Sequence, residues 1–308
     1  MRWCRRRAGG WLVAIAALGL VSGCYHGDFI ELACDRQGTC IGSATEATGT
    51  STGSSGETSS GSSTTAIEAG LDAYRLTKIE VADPHFYYDF GGCKDVTDLL
   101  NFSVNDEIGS GGISFVLLFD PADPELNLAP MILTDGECVV GVDKTTCGYK
   151  NPDFKVSTVA NNSADVACDA VVPGTTNPNY PQPNVAAPTC FTSPRGTVIL
   201  PPLVAALPPM VLYDAQIVGS YGSPTAPVDT LVSGLITGFI PQSQAEQIEG
   251  MIQSFPFNMW GTVAGGASCQ VDVNAPIDDT DPNPNPDLTE RGVWIYLNFV
   301  AERVEWID

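Results

Sequence analysis

From Ala66 onward, apolar and polar residues alternate every second position more often than apolar residues recur at helical spacing. That period belongs to strands with one face toward a core. Tyr74 to Val81 predicts one strand. Ile113 to Phe119 predicts another, with Ile113, Phe115, Leu117 and Phe119 on one face, and Met210 to Tyr221 a third that aligns Val211, Tyr213, Ala215 and Ile217. Leu231 to Ile240 is apolar but interrupted by Gly234 and Gly238, as expected where a strand kinks or packs closely against a neighbour. In Val293 to Val300, Val293, Ile295, Leu297 and Phe299 share one face, and Trp294, Tyr296, Asn298 and Val300 the other. Both faces can be covered, which predicts a central strand. Val139 to Val142 reads as one arm of a hairpin beside Cys138 and Cys147. Dense Pro and Asn from Pro173 to Pro194 and from Asn274 to Pro286 mark long loops.

One helix is predicted. Ser243-Gln244-Ala245-Glu246 fits a capping box, and Ala245, Ile248, Met251 and Ile252 follow as an apolar stripe at helical spacing. The fold expected from these patterns is mostly β, a sandwich or barrel-like set of antiparallel sheets with one short helix, stabilised by disulfides.

Ahead of this body the pattern changes. Met1 to Arg7 holds four arginines and no acid, Trp11 to Val21 is almost wholly apolar, and Ser22, Gly23 and Cys24 follow. A basic segment, a short apolar run and a small-residue site together predict an export signal. The run falls short of the roughly 20 residues that span a bilayer. Ala8, Gly9 and Gly10 after Arg6-Arg7 favour threading export over the twin-arginine route. Gly42 to Thr65 is almost entirely Ser, Thr, Gly, Ala and Glu, too polar to order itself. A coil of that length and type spans about 25 to 30 Å. The predicted organisation is therefore a signal at 1–23, a cysteine-bearing stub at 24–41, a linker at 42–65 and a β-rich domain at 66–308. Gly49-Thr50-Ser51-Thr52-Gly53 matches the nucleophile-elbow pattern only formally, because that elbow requires a strand-to-helix turn.

Val21-Ser22-Gly23-Cys24 resembles the lipobox of bacterial lipoproteins. The resemblance implies a thioether-linked lipid on Cys24, cleavage before it, and two or three acyl chains in all. At about 0.8 kcal/mol per buried methylene, one chain holds a protein weakly and two or more hold it firmly. The whole layout, from lipobox through stub and tether to β body, is similar to lipoproteins of myxobacteria-type envelopes. Tyr25 after the lipidated cysteine is similar to signals for sorting to the outer membrane.

Charge narrows the partners. The first 23 residues carry four of 14 bases and none of 36 acids, so the mature chain keeps ten bases against 36 acids, a formal −26. Scattered bases do not bind phosphate backbones, so no nucleic acid is expected. The field also repels an anionic lipid surface. Of ten cysteines, Cys4 leaves with the signal and Cys24 carries lipid. The eight that remain, Cys34, Cys40, Cys93, Cys138, Cys147, Cys168, Cys190 and Cys269, read as disulfide candidates in an exported chain. Proximity along the chain pairs Cys34 with Cys40, Cys138 with Cys147, Cys168 with Cys190, and Cys93 with Cys269. A zinc site fits poorly, because no Cys-x-x-Cys pair is present and His26 and His85 are the only histidines.

Three groups could carry chemistry. Asp83-Pro84-His85 holds the body's one histidine, beside Phe86, Tyr87 and Tyr88, without an identifiable nucleophile. Asp272, Asp278, Asp279, Asp281 and Asp287 form an acidic loop set that could supply oxygen ligands to Ca2+, and Asp120, Asp123 and Glu125 form a second; solvated loops are the plainer reading of both. Phe86-Tyr87-Tyr88 and Trp260 could form a sugar-stacking platform, or simply pack in the core. The function expected is a lipid-anchored outer-membrane protein, periplasmic or surface-exposed, acting as a non-enzymatic binding or display module for a glycan or envelope protein. The alternatives are a hydrolase using carboxylates such as Asp278 and Asp279, and a structural component of an envelope assembly.

Overall fold

The computed structural model describes residues 71–89, 92–138, 145–204, 207–252, 255–263, 270–272, 275–276 and 280–307. The signal, Cys24, the stub with Cys34 and Cys40, the linker, Cys269, Asp278 and Asp279 lie outside them. Among these residues there are fifteen strands. They are β1 (Asp72–Asp83), β2 (Tyr87–Asp89), β3 (Cys93–Asp95), β4 (Phe115–Phe119), β5 (Leu128–Cys138), β6 (Thr146–Ser163), β7 (Cys190–Thr192), β8 (Gly196–Leu200), β9 (Met210–Tyr221), β10 (Thr230–Pro241), β11 (Glu249–Ile252), β12 (Phe255–Asn258), β13 (Gln270–Asp272), β14 (Ala275–Pro276) and β15 (Gly292–Trp306). Three helices, α1 (Thr97–Ser110), α2 (Gln242–Ala245) and α3 (Met259–Val263), accompany them.

Eight strands close a ring in the order β1, β4, β5, β6, β7, β9, β10, β15 and back to β1, each pairing antiparallel, with β8 added along β9. The fold is mostly β, as the alternation predicts, and it is a barrel. At eight strands a barrel interior is just wide enough for side chains to fill. Here Phe115, Leu117 and Phe119 of β4, Met131 and Leu133 of β5, Phe191, Ile217 and Leu297 fill it. Phe119 meets Tyr74 edge-on at 5.6 Å and Phe191 at 5.2 Å, geometries that favour the ring quadrupoles.

The outer surface is covered in two places. Val218, Leu235, Phe239, Trp294 and Tyr296 lie under the segment stapled by Cys168–Cys190. Ala73, Val116 and Leu118 lie under Trp306 and the Cys138–Cys147 hairpin end. These are two of the expected disulfides, with Cα atoms 6.0 and 4.0 Å apart. Cys93 is also disulfide-bonded. β15 is central, flanked by β1 and β10 and buried on both faces through Leu297.

One part of the wall is helical. β4 is only five residues long and pairs with β1 only at Asp72 to Arg75. Beyond that, α1 takes the place of a strand. The Asn105 amide accepts from Ile79 N–H at 3.1 Å and donates to Ile79 C=O at 2.7 Å. Asn101 does the same for Val81, at 2.7 and 3.1 Å. One helical step of four residues rises about 6 Å and two strand residues about 6.6 Å, so the two amides stay in register with the strand. Leu100, Val104 and Ile108 face the core, while Phe102 is 62 % exposed. Gly111 ends the helix at φ 85°, a left-handed cap conformation that glycine adopts freely, and buried Arg75 donates to the Ile108 carbonyl at 2.6 Å.

Two expectations are corrected. The predicted helix from Ser243 shrinks to the four-residue α2, and Glu249–Ile252 instead pairs with Phe255–Asn258 as a hairpin. Ser243 makes no capping bond, since Pro241 occupies the N-cap and the Ser243 N–H donates to Glu290. Met251, counted in the apolar stripe, is 50 % exposed. In β9 the predicted face is broken at Asp214, whose φ is 48°. Met210 and Leu212 join Ala215 and Ile217 in the main core, whereas Val211 is buried apart from it and Tyr213 is half-buried.

Candidate functional site

The ribbon of β2 and β3 projects beside the N-terminus of α1 and presents different chemistry on its two sides. On one side His85 Nδ1 pairs with Asp95 at 2.5 Å, and the imidazole stacks on Tyr180 with ring centres 3.6 Å apart and planes 12° from parallel. The Tyr87 and Tyr180 hydroxyls meet at 3.0 Å. Burial pushes the Asp95 carboxyl upward, but hydrogen bonds from His85, the Thr97 amide and the Thr97 hydroxyl outweigh it and hold Asp95 below the usual carboxylate range. Asp83 tightens the same corner by accepting the Asn177 N–H at 2.8 Å. The histidine thus clasps the segment that carries Tyr180.

On the other side Phe86 and Tyr88 face α1 and the β11–β12 hairpin. Phe86 packs on Phe257 at 5.5 Å, and Tyr88 lies 6.3 Å from the partly exposed Phe255. Between them, Leu99 and Ile252 line an apolar slot of about 30 Å³. That volume admits a side-chain tip or a water or two; a sugar ring is too large for it. Phe86-Tyr87-Tyr88 therefore does not form one platform. Alternation sends Tyr87 to the polar side, Phe86 is buried, and Trp260 is packed against the core.

Among the described residues, the predicted acids have separate surroundings. Asp281 forms an isolated bridge with Gly292 and accepts the Trp294 N–H at 3.4 Å. Asp287 gives its N–H to Asn285 in an exposed turn, and Asp272 lies on β13, paired with Ala275. In the second acidic loop, Asp123 accepts the Glu125 N–H at 2.9 Å, closing a turn on itself. Among the described residues, no three His, Cys, Asp or Glu side chains come together as a metal set. No helix among them is long and apolar enough to cross a membrane.

The sequence singles out His85 but misses Asp95 and Tyr180, ten and 95 positions away, which the fold alone brings to it. It also misses the asparagine pair of α1, although Asn101 and Asn105 are spaced to share a helix face. No protein-family model, no curated protein and no solved structure matches this chain.

Proposed function

We propose that this chain is a lipid-anchored envelope protein, sorted to the outer membrane, that works as a non-enzymatic binding or display module. The observation that carries the reading is a disulfide-stapled barrel whose interior is filled by its own side chains, so that recognition falls to loops and outer surface. Two closed disulfides fit an oxidising compartment, and the lipobox supplies the anchor. Mass spectrometry of the mature protein from cell envelopes tests this. The expected product begins at Cys24 with diacylglycerol on its sulfur, and Cys24→Ser releases the protein into the soluble fraction. An unmodified, soluble product with reduced thiols would overturn the reading.

A further inference from the structure

A second surface, at the barrel end where β1 begins, has the character of a docking site. Leu126, Leu128 and Val166 are 40, 53 and 69 % exposed. Single exposed aliphatics are ordinary, but these three lie on two loops and the adjoining start of β5, all tied to one short stretch of β6. Asn162 donates its side-chain amide to the carbonyls of Asp123 at 2.9 Å and Leu126 at 2.7 Å, and its N–H to Asn127 at 3.0 Å. Leu128 sits opposite Asn161 in the β5–β6 register. Ser163 accepts the Val166 N–H and donates to the Val166 carbonyl at 2.7 Å. Tyr221, whose ring is in the core, anchors the Asn162 side chain at 2.8 Å. Cys168–Cys190 secures the second loop two residues beyond Val166. The aliphatics are held outward by loops whose backbones are fixed, a preorganisation that lowers the entropic cost of association.

The charge around them has one dominant sign. Asp120, Glu125, Asp165 and Asp169 are exposed on the same two loops, which contain no Lys or Arg; Arg303, close by, is paired with Asp72. A negatively charged lipid leaflet would be repelled from such a rim. From this complementarity we propose that the surface of loops 120–128 and 163–169 docks a basic, amphipathic segment of a protein partner, its apolar side chains on Leu126, Leu128 and Val166 and its cations on the acidic rim. This deepens the binding-module reading and rests on it, but not on the lipid anchor.

The test uses the full mature chain with Cys24→Ser, so that anchoring cannot influence the result. The probe is a dye-labelled dodecapeptide of alternating Lys and Leu, followed by fluorescence anisotropy. Saturable binding is expected that weakens with added salt. Leu126→Ser, Leu128→Ser and Val166→Ser together should lower affinity about tenfold without changing Tm. Leu288→Ser, equally exposed at 53 % in another acidic loop, should leave affinity unchanged. The proposal is overturned if the triple variant binds like its parent, if Leu288→Ser loses as much, or if an Asp-Leu peptide binds as tightly. Self-association, or flotation with phosphatidylethanolamine–phosphatidylglycerol vesicles, that the triple variant abolishes would assign the surface to a second copy or to lipid and overturn it equally.

Discussion

Replacing Asn105 by alanine removes three hydrogen bonds at once: two to the backbone of Ile79 and one, at 2.8 Å, to the Asn101 carbonyl. At about 1 kcal/mol each the loss is about 3 kcal/mol. Alanine returns up to about 0.7 kcal/mol as the better helix former. The net cost is about 2 to 2.5 kcal/mol. Asn101→Ala removes two bonds by the same reckoning and costs about 1.5 kcal/mol. Asn105→Asp is the sharper probe. It preserves shape and the acceptor for Ile79 N–H, yet sets a carboxylate oxygen against the Ile79 carbonyl, so at pH 7 it should cost at least as much as alanine and recover partly in acid. Urea unfolding followed by circular dichroism, with the disulfides kept oxidised, measures all three. If Asn105→Ala falls within 0.5 kcal/mol of the parent, or Asn105→Asp matches it at pH 7, the side chains are not serving as a strand for β1.

Gly234→Ala would set a methyl 2.3 Å from the Phe299 ring, and overpacking of that kind costs about 1 to 3 kcal/mol by the same unfolding assay. Gly109→Ala meets nothing within 4 Å and should stabilise α1 by about 0.5 to 1 kcal/mol. Burial raises the Asp135 carboxyl above its ordinary range, with Lys150 pulling it partly back. The folded state therefore holds that proton more tightly than the unfolded chain, and stability falls as pH rises through the window between the two values. Asp135→Asn should raise Tm at pH 7 and flatten that slope in calorimetry; an unchanged slope would count against the burial argument. Asp95 behaves oppositely. Its contribution is present above the unfolded carboxylate value and lost as pH falls through the lower folded one, so Asp95→Asn should destabilise at pH 7 and converge with the parent in strong acid.

Strands are legible where a run of apolar and β-branched residues is bounded by turn residues, and are missed where, as in β7, they lie within a Pro- and Asn-rich stretch. β9 has the bounds its sequence predicts and β15 is central as its two apolar faces predict, although β15 runs six residues past Val300. Gly234 and Gly238 announced close approaches that proved to be Phe299 and Leu212. The helices were not legible, for opposite reasons. In α1 the apolar face is narrow, Phe102 stands exposed outside it, and the contact with β1 is made by Asn101 and Asn105, so the helix gives little hydrophobic signal. Around Ser243 the stripe was present, but residues far along the chain, among them Glu290 and Phe257, offered the backbone and side chains better partners as a turn and hairpin. The His85 cluster is half visible because its members come from separate parts of the chain, Asp95 from β3 and Tyr180 from a distant loop, and no local pattern links residue 85 to residue 180.

β1 and β15 lie side by side, with Ala73 opposite Val304 and Val81 opposite Leu297. Within the barrel β1 must therefore wait, one edge bare, until β15 has been made. Closure over so long a span is slow, and an uncovered edge invites wrong pairing. A chain that stopped before β15 would be left with a sheet unable to seal, prone to cohere with its neighbours or to be degraded.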